Sequence, residues 1–324
     1  RVFAISLIFI ASTISPALAS DTVTTNDMEI SGNYVLSGNI TVSHGTTLTI
    51  KPGTTLDMQS YWMKVDGNLI ANNAVFMSSI QSTGSGSHNS GVWDDITISS
   101  MGAASIHNVT ISNAKSCLIN DGSLMSSNLT LQDCIIGIEN AGTATIADFS
   151  ASDIDQEAIR NTGVATLSDV SIQNMTGGIQ SSGDLNIDTA EFNLVGYGLS
   201  LSGGVSDIES LTYTSSIGAA ISIFSGASGQ INDVQGTATN VITAMDSTGF
   251  TFSNLTMSGS RLINSWSAGD ITIDGATFES TTAETPIDII SSGSVSLSEI
   301  NLTGQFSSLQ GQFDAPWIGV SIGG

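Results

Sequence analysis

Apolar and polar positions recur in one register between residues 108 and 299 of the 324-residue chain. Ten copies of a short pattern follow at steps of about 20 to 24 residues. The column that starts each copy holds Asn108, Asn128, Asp148, Asp169, Thr189, Ser210, Asp233, Asn254, Gly275 and Glu299. The next residue is apolar in every copy, the second is polar, and the third is apolar except at Gly236. This alternation predicts a strand with one buried face.

Another apolar column lies two residues before the column that starts each copy. It includes Ile106, Ile146 and Leu167. Because buried positions on both sides of the starting column cannot belong to one straight strand, the chain must bend there. Asn, Asp and Gly suit such a corner, since they tolerate the left-handed backbone conformation. With a further apolar set near Leu118 and Ile138, each repeat is predicted to form one coil of about three short strands.

A repeat of this length fits both leucine-rich repeats and parallel β-helices. Only residues 129–135 mimic the leucine-rich consensus, and the Ser-, Gly- and Thr-rich remainder of each repeat has no helix-forming stretch. We therefore predict an all-β fold, a parallel β-helix (solenoid) over residues 38–324. An N-terminal cap region is expected at residues 20–37. We also expect the solenoid to be truncated at its C-terminus, because no closing cap is visible in the sequence.

The repeats read roughly I-x-N-x-x-I, followed by G-I and a turn, which resembles the secreted pectate-lyase-like proteins. This resemblance implies a right-handed parallel β-helix. Residues 45–56 and 64–69, followed by Trp93, resemble the first coils of such proteins. The enzymes of that class use an Arg or Lys base beside a calcium cluster, or an N-x-D, D-D, G-H-G and R-I-K set. Only Asp94 and Asp95 match any of these motifs here. The resemblance thus implies the fold and leaves enzymatic activity as an alternative.

The N-terminus carries a targeting signal. An apolar run at residues 2–14 precedes the small residues of Pro16 to Ala19, which is typical of a secretory signal peptide ending at residue 19. An uncleaved anchor or a core helix is the alternative. No other apolar run approaches the ~20 residues that span a bilayer. We expect a secreted or cell-surface protein without a further membrane span.

Six basic residues against 29 acidic ones give a net charge of −23. Such a polyanion repels nucleic acids, so nucleic acid is disfavoured as a partner. The partner we expect is a polysaccharide or a cell-surface glycan.

Two kinds of covalent modification are candidates. Cys117 and Cys134 are the only cysteines, and in a secreted chain they either form a disulfide or remain two buried thiols. Their register positions on neighbouring repeats differ by three residues. Among the N-x-S/T sequences, Asn39 and Asn301 fall at predicted outward positions and are the candidates for glycosylation.

The first candidate for chemistry is the column five residues after the corner. Stacked coils would hold Asp133 and Asp153 about 5 Å apart, with Asp155 beside them. This separation suits the carboxylates of a retaining glycosidase and also a calcium ion. We otherwise expect no cofactor. The alternative is an Asn/Asp ladder that satisfies the amides of a turn.

The second candidate is an insertion at residues 78–92, which interrupts the regular repeats and contains His88. Trp93, Asp94 and Asp95 follow it directly. Loops that protrude from a β-helix often bind ligands, and Trp93 could stack on a sugar or pack as core. We expect a structural or adhesive protein that binds carbohydrate. The alternative is a polysaccharide lyase or glycoside hydrolase that uses Asp133, Asp153 and Asp155.

Overall fold

The computed structural model describes residues 21–80, 92–281, 287–291, 293–304 and 320–323. These residues form a parallel β-solenoid of about 12 coils, with about 21 residues in each. Every regular element in these ranges is a strand, which confirms the predicted all-β parallel fold.

The strands fall into three groups along the chain. The first coils contain β1 (Thr22–Thr24), β2 (Met28–Ile30), β3 (Asn33–Val35), β4 (Ile40–Val42), β5 (Thr47–Ile50), β6 (Thr55–Asp57), β7 (Met63–Val65), β8 (Asn68–Met77) and β9 (Ile96–Ile98). The central coils contain β10 (Ala103–Ser112), β11 (Ser116–Asn120), β12 (Ser123–Gln132), β13 (Ile136–Asn140), β14 (Thr143–Ser152), β15 (Glu157–Asn161), β16 (Val164–Ser181), β17 (Asp184–Leu201) and β18 (Val205–Ile223). The last coils contain β19 (Ser228–Asn232), β20 (Val234–Met245), β21 (Gly249–Gly259), β22 (Arg261–Ala268), β23 (Asp270–Ser280), β24 (Ile287–Ser291), β25 (Val295–Gly304) and β26 (Val320–Gly323).

Each coil has three faces, which the coil at residues 123–140 illustrates. Face A is the part of β12 before Asn128, face B is the part after it, and face C is β13. Every face pairs in parallel with the same face of the next coil, so that Leu129 aligns with Val109 on one side and Phe149 on the other. The repeat of the sequence is thus the repeat of the structure.

The predicted corner separates face A from face B. Eight of its ten positions have a positive φ, for example 52° at Asn108 and 51° at Asn128. The exceptions are Thr189 and Ser210, which pair with each other inside continuous strands. The left-handed conformation turns the chain so that apolar residues on both sides of the corner point into the core, as the sequence pattern predicted.

The interior is one continuous stack of apolar side chains. Val109, Leu129, Phe149 and the residues aligned with them as far as Ala276 are almost fully buried. The rings of Phe192 and Tyr213 stack in it with centroids 5.0 Å apart. Each coil is therefore stabilised chiefly by its two neighbours, as in other repeat proteins.

A buried asparagine ladder, which the sequence analysis missed, closes four coils at the end of face C. The Nδ2 of Asn120 donates to the Oδ1 of Asn140 at 2.6 Å, and Asn140 donates likewise to Asn161 at 2.7 Å. Asn161 donates to the Oγ of Ser181 at 2.9 Å. The same amides also reach backbone carbonyls, as Asn140 does at Val164. The ladder satisfies polar groups that the tight turn between faces C and A would otherwise bury without partners.

The segment interpreted as a cap, residues 20–37, contains the three strands β1, β2 and β3. They pair in parallel with β4, β5 and β6, respectively. From Thr22 onward, this segment therefore forms the first coil of the solenoid.

We predict that Asn140→Ala lowers the free energy of unfolding by about 2–4 kcal/mol, because it removes the bond that the Nδ2 of Asn120 donates to Asn140 and the bond that the buried Oδ1 of Asn161 accepts from it. Urea unfolding followed by circular dichroism measures the loss. Asn128→Gly in the same coil is the control, since Gly accepts the positive φ there and only an exposed bond to Asn108 is lost. A loss as small as that of the control would contradict a stabilising role for the ladder.

Candidate functional site

Asp133 and Asp153 lie at a second corner, between faces B and C. Both have a positive φ, 54° and 56°, as do Asn113 and Asn174 in the same column. They follow the aligned residues Gln132 and Ser152 on neighbouring coils, and the Nδ2 of Asn174 donates to the Oδ1 of Asp153. These aspartates therefore lie in a turn that suits a left-handed backbone, and a catalytic role for them stays a prediction.

Asp155 lies two residues beyond Asp153 and is exposed. Its backbone N–H donates to the carbonyl of Cys134 at 3.0 Å, which holds this turn to the preceding coil. Within the described ranges, no group of three or more His, Cys, Asp or Glu side chains is arranged to hold a metal ion. Calcium binding stays a prediction.

Trp93 packs as a core residue, which was one of the two alternatives that the sequence left open, and its ring is not exposed to stack on a sugar. Its side chain is only 1% exposed, and its indole N–H donates to the carbonyl of Ser112 at 2.8 Å. The backbone of Trp93 pairs with Ala114 at the start of a regular coil. The ring is large and apolar, so it fills the interior where the insertion ends. His88 lies outside the described residues.

Asp94 and Asp95, next to Trp93, belong to a group of charged side chains on face C. The Nζ of Lys115 donates to the Oδ1 of Asp94, and this pair raises the pKa of Lys115. Burial raises the pKa of Asp95, and the negative charges of Asp94 and Glu139 add to this effect. A hydrogen bond from Thr97 opposes it. Asp95 therefore binds a proton more readily than an aspartate that is fully exposed to water.

The charged group continues along the later coils of face C. Glu139 accepts a hydrogen bond from the Oγ of Ser116 at 2.6 Å and lies 3.5 Å from Nη1 of Arg160. Arg160 also pairs with Glu157 at 2.6 Å, and the hydroxyl of Tyr197 donates to Glu157 at 2.9 Å. Burial and the Glu157 carboxylate raise the pKa of Tyr197. Lys115 and Arg160 both have carboxylate partners, so this group orders the surface of face C.

The outward column of face B is a continuous polar surface. It contains one residue from each of ten successive coils, aligned by backbone pairing: Thr110, Thr130, Ser150, Ser171, Glu191, Thr212, Gln235, Thr256, Thr277 and Asn301. Parallel pairing fixes their spacing at ~4.8 Å. We call this set the polar column.

Two shallow depressions lie along the polar column and share Thr212 in their walls. One has a volume of about 540 Å³ and is lined by Gln235, Thr256 and Thr277 among others. The other has a volume of about 320 Å³ and includes Ser171 and Glu191. Together they form a discontinuous groove on the outside of face B. The sequence showed these residues as the polar position between two apolar columns, but gave no sign of the groove.

Members of the polar column also bond along the solenoid axis. The Nε2 of Gln235 donates to the Oγ1 of Thr212 at 3.2 Å. In the next outward column, the hydroxyls of Thr237 and Ser258 lie 2.9 Å apart. Thr256 and Thr277 remain exposed. The groove thus presents hydroxyl, amide and carboxylate groups whose positions are fixed by the strands.

The two glycosylation candidates differ in their surroundings. Asn39 is partly buried, and its Oδ1 accepts a hydrogen bond from the backbone N–H of Trp62 at 3.2 Å. Asn301 is exposed at the end of the polar column. Modification at either position stays a prediction, and the geometry favours Asn301.

Cys117 and Cys134 form a disulfide, with their Cα atoms 6.0 Å apart. Cys117 lies in β11 of one coil, and Cys134 directly follows the corner residue Asp133 of the next coil. The left-handed conformation of Asp133 turns the chain so that Cys134 points inward, and both cysteines are fully buried. The turn at Asp133 thus brings Cys134 close to Cys117, although the two cysteines differ by three positions in the register of the repeats.

Comparison of the sequence with protein-family models and with curated proteins found no match. Among the residues that the structure describes, no helix is long and apolar enough to cross a membrane.

We predict that Asp95→Asn stabilises the protein at pH 7, by less than about 1 kcal/mol because the carboxyl is partly exposed. The folded state raises the pKa of Asp95, so its ionisation costs stability once the pH rises through the folded-state pKa. The gain should vanish below the unfolded value of 3.8. Thermal unfolding between pH 3 and pH 7 measures it. The control is Asp94→Asn, which breaks the ion pair between Asp94 and Lys115. It should therefore give no gain in stability. A gain for Asp95→Asn that is independent of pH would contradict this explanation.

We also predict that replacing both cysteines by alanine lowers the free energy of unfolding by about 2–4 kcal/mol, because the bond closes a loop of 17 residues. Urea unfolding with and without a thiol reductant measures the change. Reductant should destabilise the unsubstituted protein and leave the double variant unchanged. Equal sensitivity of the two proteins would show that the disulfide is not responsible.

Proposed function

We propose that the protein is a non-enzymatic, secreted or cell-surface solenoid with a structural or adhesive role, and that it binds an extended polysaccharide along face B. The observation that carries the proposal is the unbroken polar column from Thr110 to Asn301. The predicted signal peptide at residues 1–19 supports the extracellular location.

An extended polymer matches this surface because both repeat along one axis. Each coil places a hydrogen-bonding side chain at the equivalent position of face B. Successive units of a glycan that runs along the axis therefore meet equivalent groups. Individual contacts of this kind are weak, but many contacts to one chain combine into a stable attachment. The strands already hold the side chains in place, which reduces the entropy lost on binding.

The charge of the protein narrows the choice of glycan. With a net charge of −23, the solenoid repels polyanions such as uronic-acid polymers. A neutral polysaccharide is therefore the expected partner on face B. The structural role of Asp133 and Asp153 in the corner supports binding without hydrolysis.

We predict that Thr256→Ala/Thr277→Ala weakens binding to neutral polysaccharide by roughly tenfold, since two hydrogen bonds of about 0.5–1.5 kcal/mol each are removed. The measurement is co-sedimentation of the purified protein with insoluble cellulose, chitin and mannan. Thr251→Ala/Thr272→Ala is a matched control, because these threonines lie on the same two strands, on face A.

Equal binding by the two double variants would contradict a site on face B. A parallel assay for reducing or unsaturated ends tests the alternative of a polysaccharide-degrading enzyme. Release of such ends that depends on Asp153 would overturn the non-enzymatic proposal.

A further inference from the structure

An apolar column lies on the outside of face C in the last coils. Phe224, Met245, Trp266 and Ile290 occupy the same outward position on four successive coils, as the aligned pairs around them show. Met245 is 37% exposed, Trp266 54% and Ile290 50%. Phe224 is partly exposed. These four residues are called the apolar column below.

The same position on earlier coils carries small or polar residues. It is occupied by Ala141, Thr162, Ser182 and Ser202, all of which are exposed. The backbone therefore directs this position to solvent in both parts of the solenoid, and the fold does not require an apolar residue there. A contiguous apolar patch on a soluble protein commonly marks a binding site.

Trp266 is the central residue of the apolar column, and its environment differs from that of Trp93. No hydrogen bond joins its indole N–H to any residue that the structure describes, whereas the indole of Trp93 donates to a backbone carbonyl. A large aromatic ring at the surface can bind a ligand through its face, and its indole N–H can donate a hydrogen bond at its edge.

A second outward column runs beside the apolar one, two residues earlier on the same strands. It contains Ser222, Thr243, Asn264 and Asp288, aligned on successive coils. Two residues of a strand span ~6.6 Å, so these polar groups flank the indole at a distance that one sugar ring can bridge. The surface thus combines a flat apolar platform with a row of donors and acceptors.

A second copy of the chain is a poor occupant of this patch. Two chains that each carry a net charge of −23 repel one another. The apolar column also spans only three coil spacings, or ~15 Å, whereas a stable dimer buries about 800 Å² on each partner. The patch is therefore of a size for a small ligand or a short segment of a polymer.

A pyranose ring has a C–H face that packs on an indole and hydroxyls around its rim that hydrogen-bond to amides and carboxylates. We propose that the apolar column is a second glycan subsite, in which one to three units of a neutral pyranose chain pack on Trp266 and bond to Asn264 and Asp288. This site rests on the proposed function of glycan binding, but it is separate from the polar column of face B.

The test uses the purified full chain and three neutral hexasaccharides, namely cellohexaose, mannohexaose and N-acetylchitohexaose. Isothermal titration calorimetry gives the Kd, and tryptophan fluorescence reports contact with the indole. We expect at least one of them to bind and to shift the fluorescence. Trp266→Ser, which restores the residue type of the earlier coils, should weaken binding by at least about tenfold. Trp266→Phe keeps a flat ring and should retain most of the affinity.

Met101→Ser is the control, because Met101 is 68% exposed and lies far along the chain from the apolar column. It should bind as the unsubstituted protein does. Circular dichroism should show the same fold for all variants, since Trp266 contributes no buried surface comparable to a core residue.

Three results would overturn this subsite: no hexasaccharide binds, Trp266→Ser binds as well as the unsubstituted protein, or Trp266→Ser abolishes a self-association seen by sedimentation.

The experiments distinguish a failure of this subsite from a failure of the proposed site on face B. If only Thr256→Ala/Thr277→Ala reduces polysaccharide binding, face B is the site and the apolar column is not. If only Trp266→Ser does so, the assignment to face B is wrong.

Discussion

The whole structure depends on in-register parallel pairing between coils. Each residue lies beside its equivalent on the next coil, so residues of similar character at one position form a column along the axis. An apolar residue at an inward position extends the core, and an asparagine at the end of face C extends a buried ladder. A threonine at the outward position of face B extends a row of hydroxyls. The same constraint thus produces the stability of the rod and the regularity of its surfaces.

The corners make this arrangement possible, and they explain residues that otherwise look functional. Asp133 and Asp153 have the chemistry of a catalytic pair and the spacing of stacked coils. Their positive φ places them with Asn113 and Asn174 as residues selected for a left-handed turn. The charged group on face C has a similar explanation, because Lys115 and Arg160 are each bound to carboxylates on neighbouring coils. Residues that depart from such structural requirements are better guides to function. Trp266 is one of them, since its position is polar or small on earlier coils.

The sequence was most informative about the repeat. Alternation with a period of two, interrupted at a column of Asn and Asp, was enough to predict three-stranded coils and the location of the first corner. The sequence was less informative about single residues that do not follow the repeat. Trp93 adjoins an irregular insertion, where the register could not show which way its side chain points. The asparagine ladder was missed because Asn120, Asn140 and Asn161 lie at an inward position, where an apolar residue is expected.

The sequence by itself determined the fold class, the coil length and the alternation of inward and outward positions, because these follow from local periodicity. Only the tertiary structure decided which columns are continuous, that Cys117 and Cys134 meet across a corner, and that Met245, Trp266 and Ile290 form one patch. These features depend on the alignment of residues about 20 positions apart. That alignment is set by the backbone hydrogen bonds between coils. The pairing register shifts at some points, for example between Trp266 and Ala268, and the repeat in the sequence does not reveal these shifts.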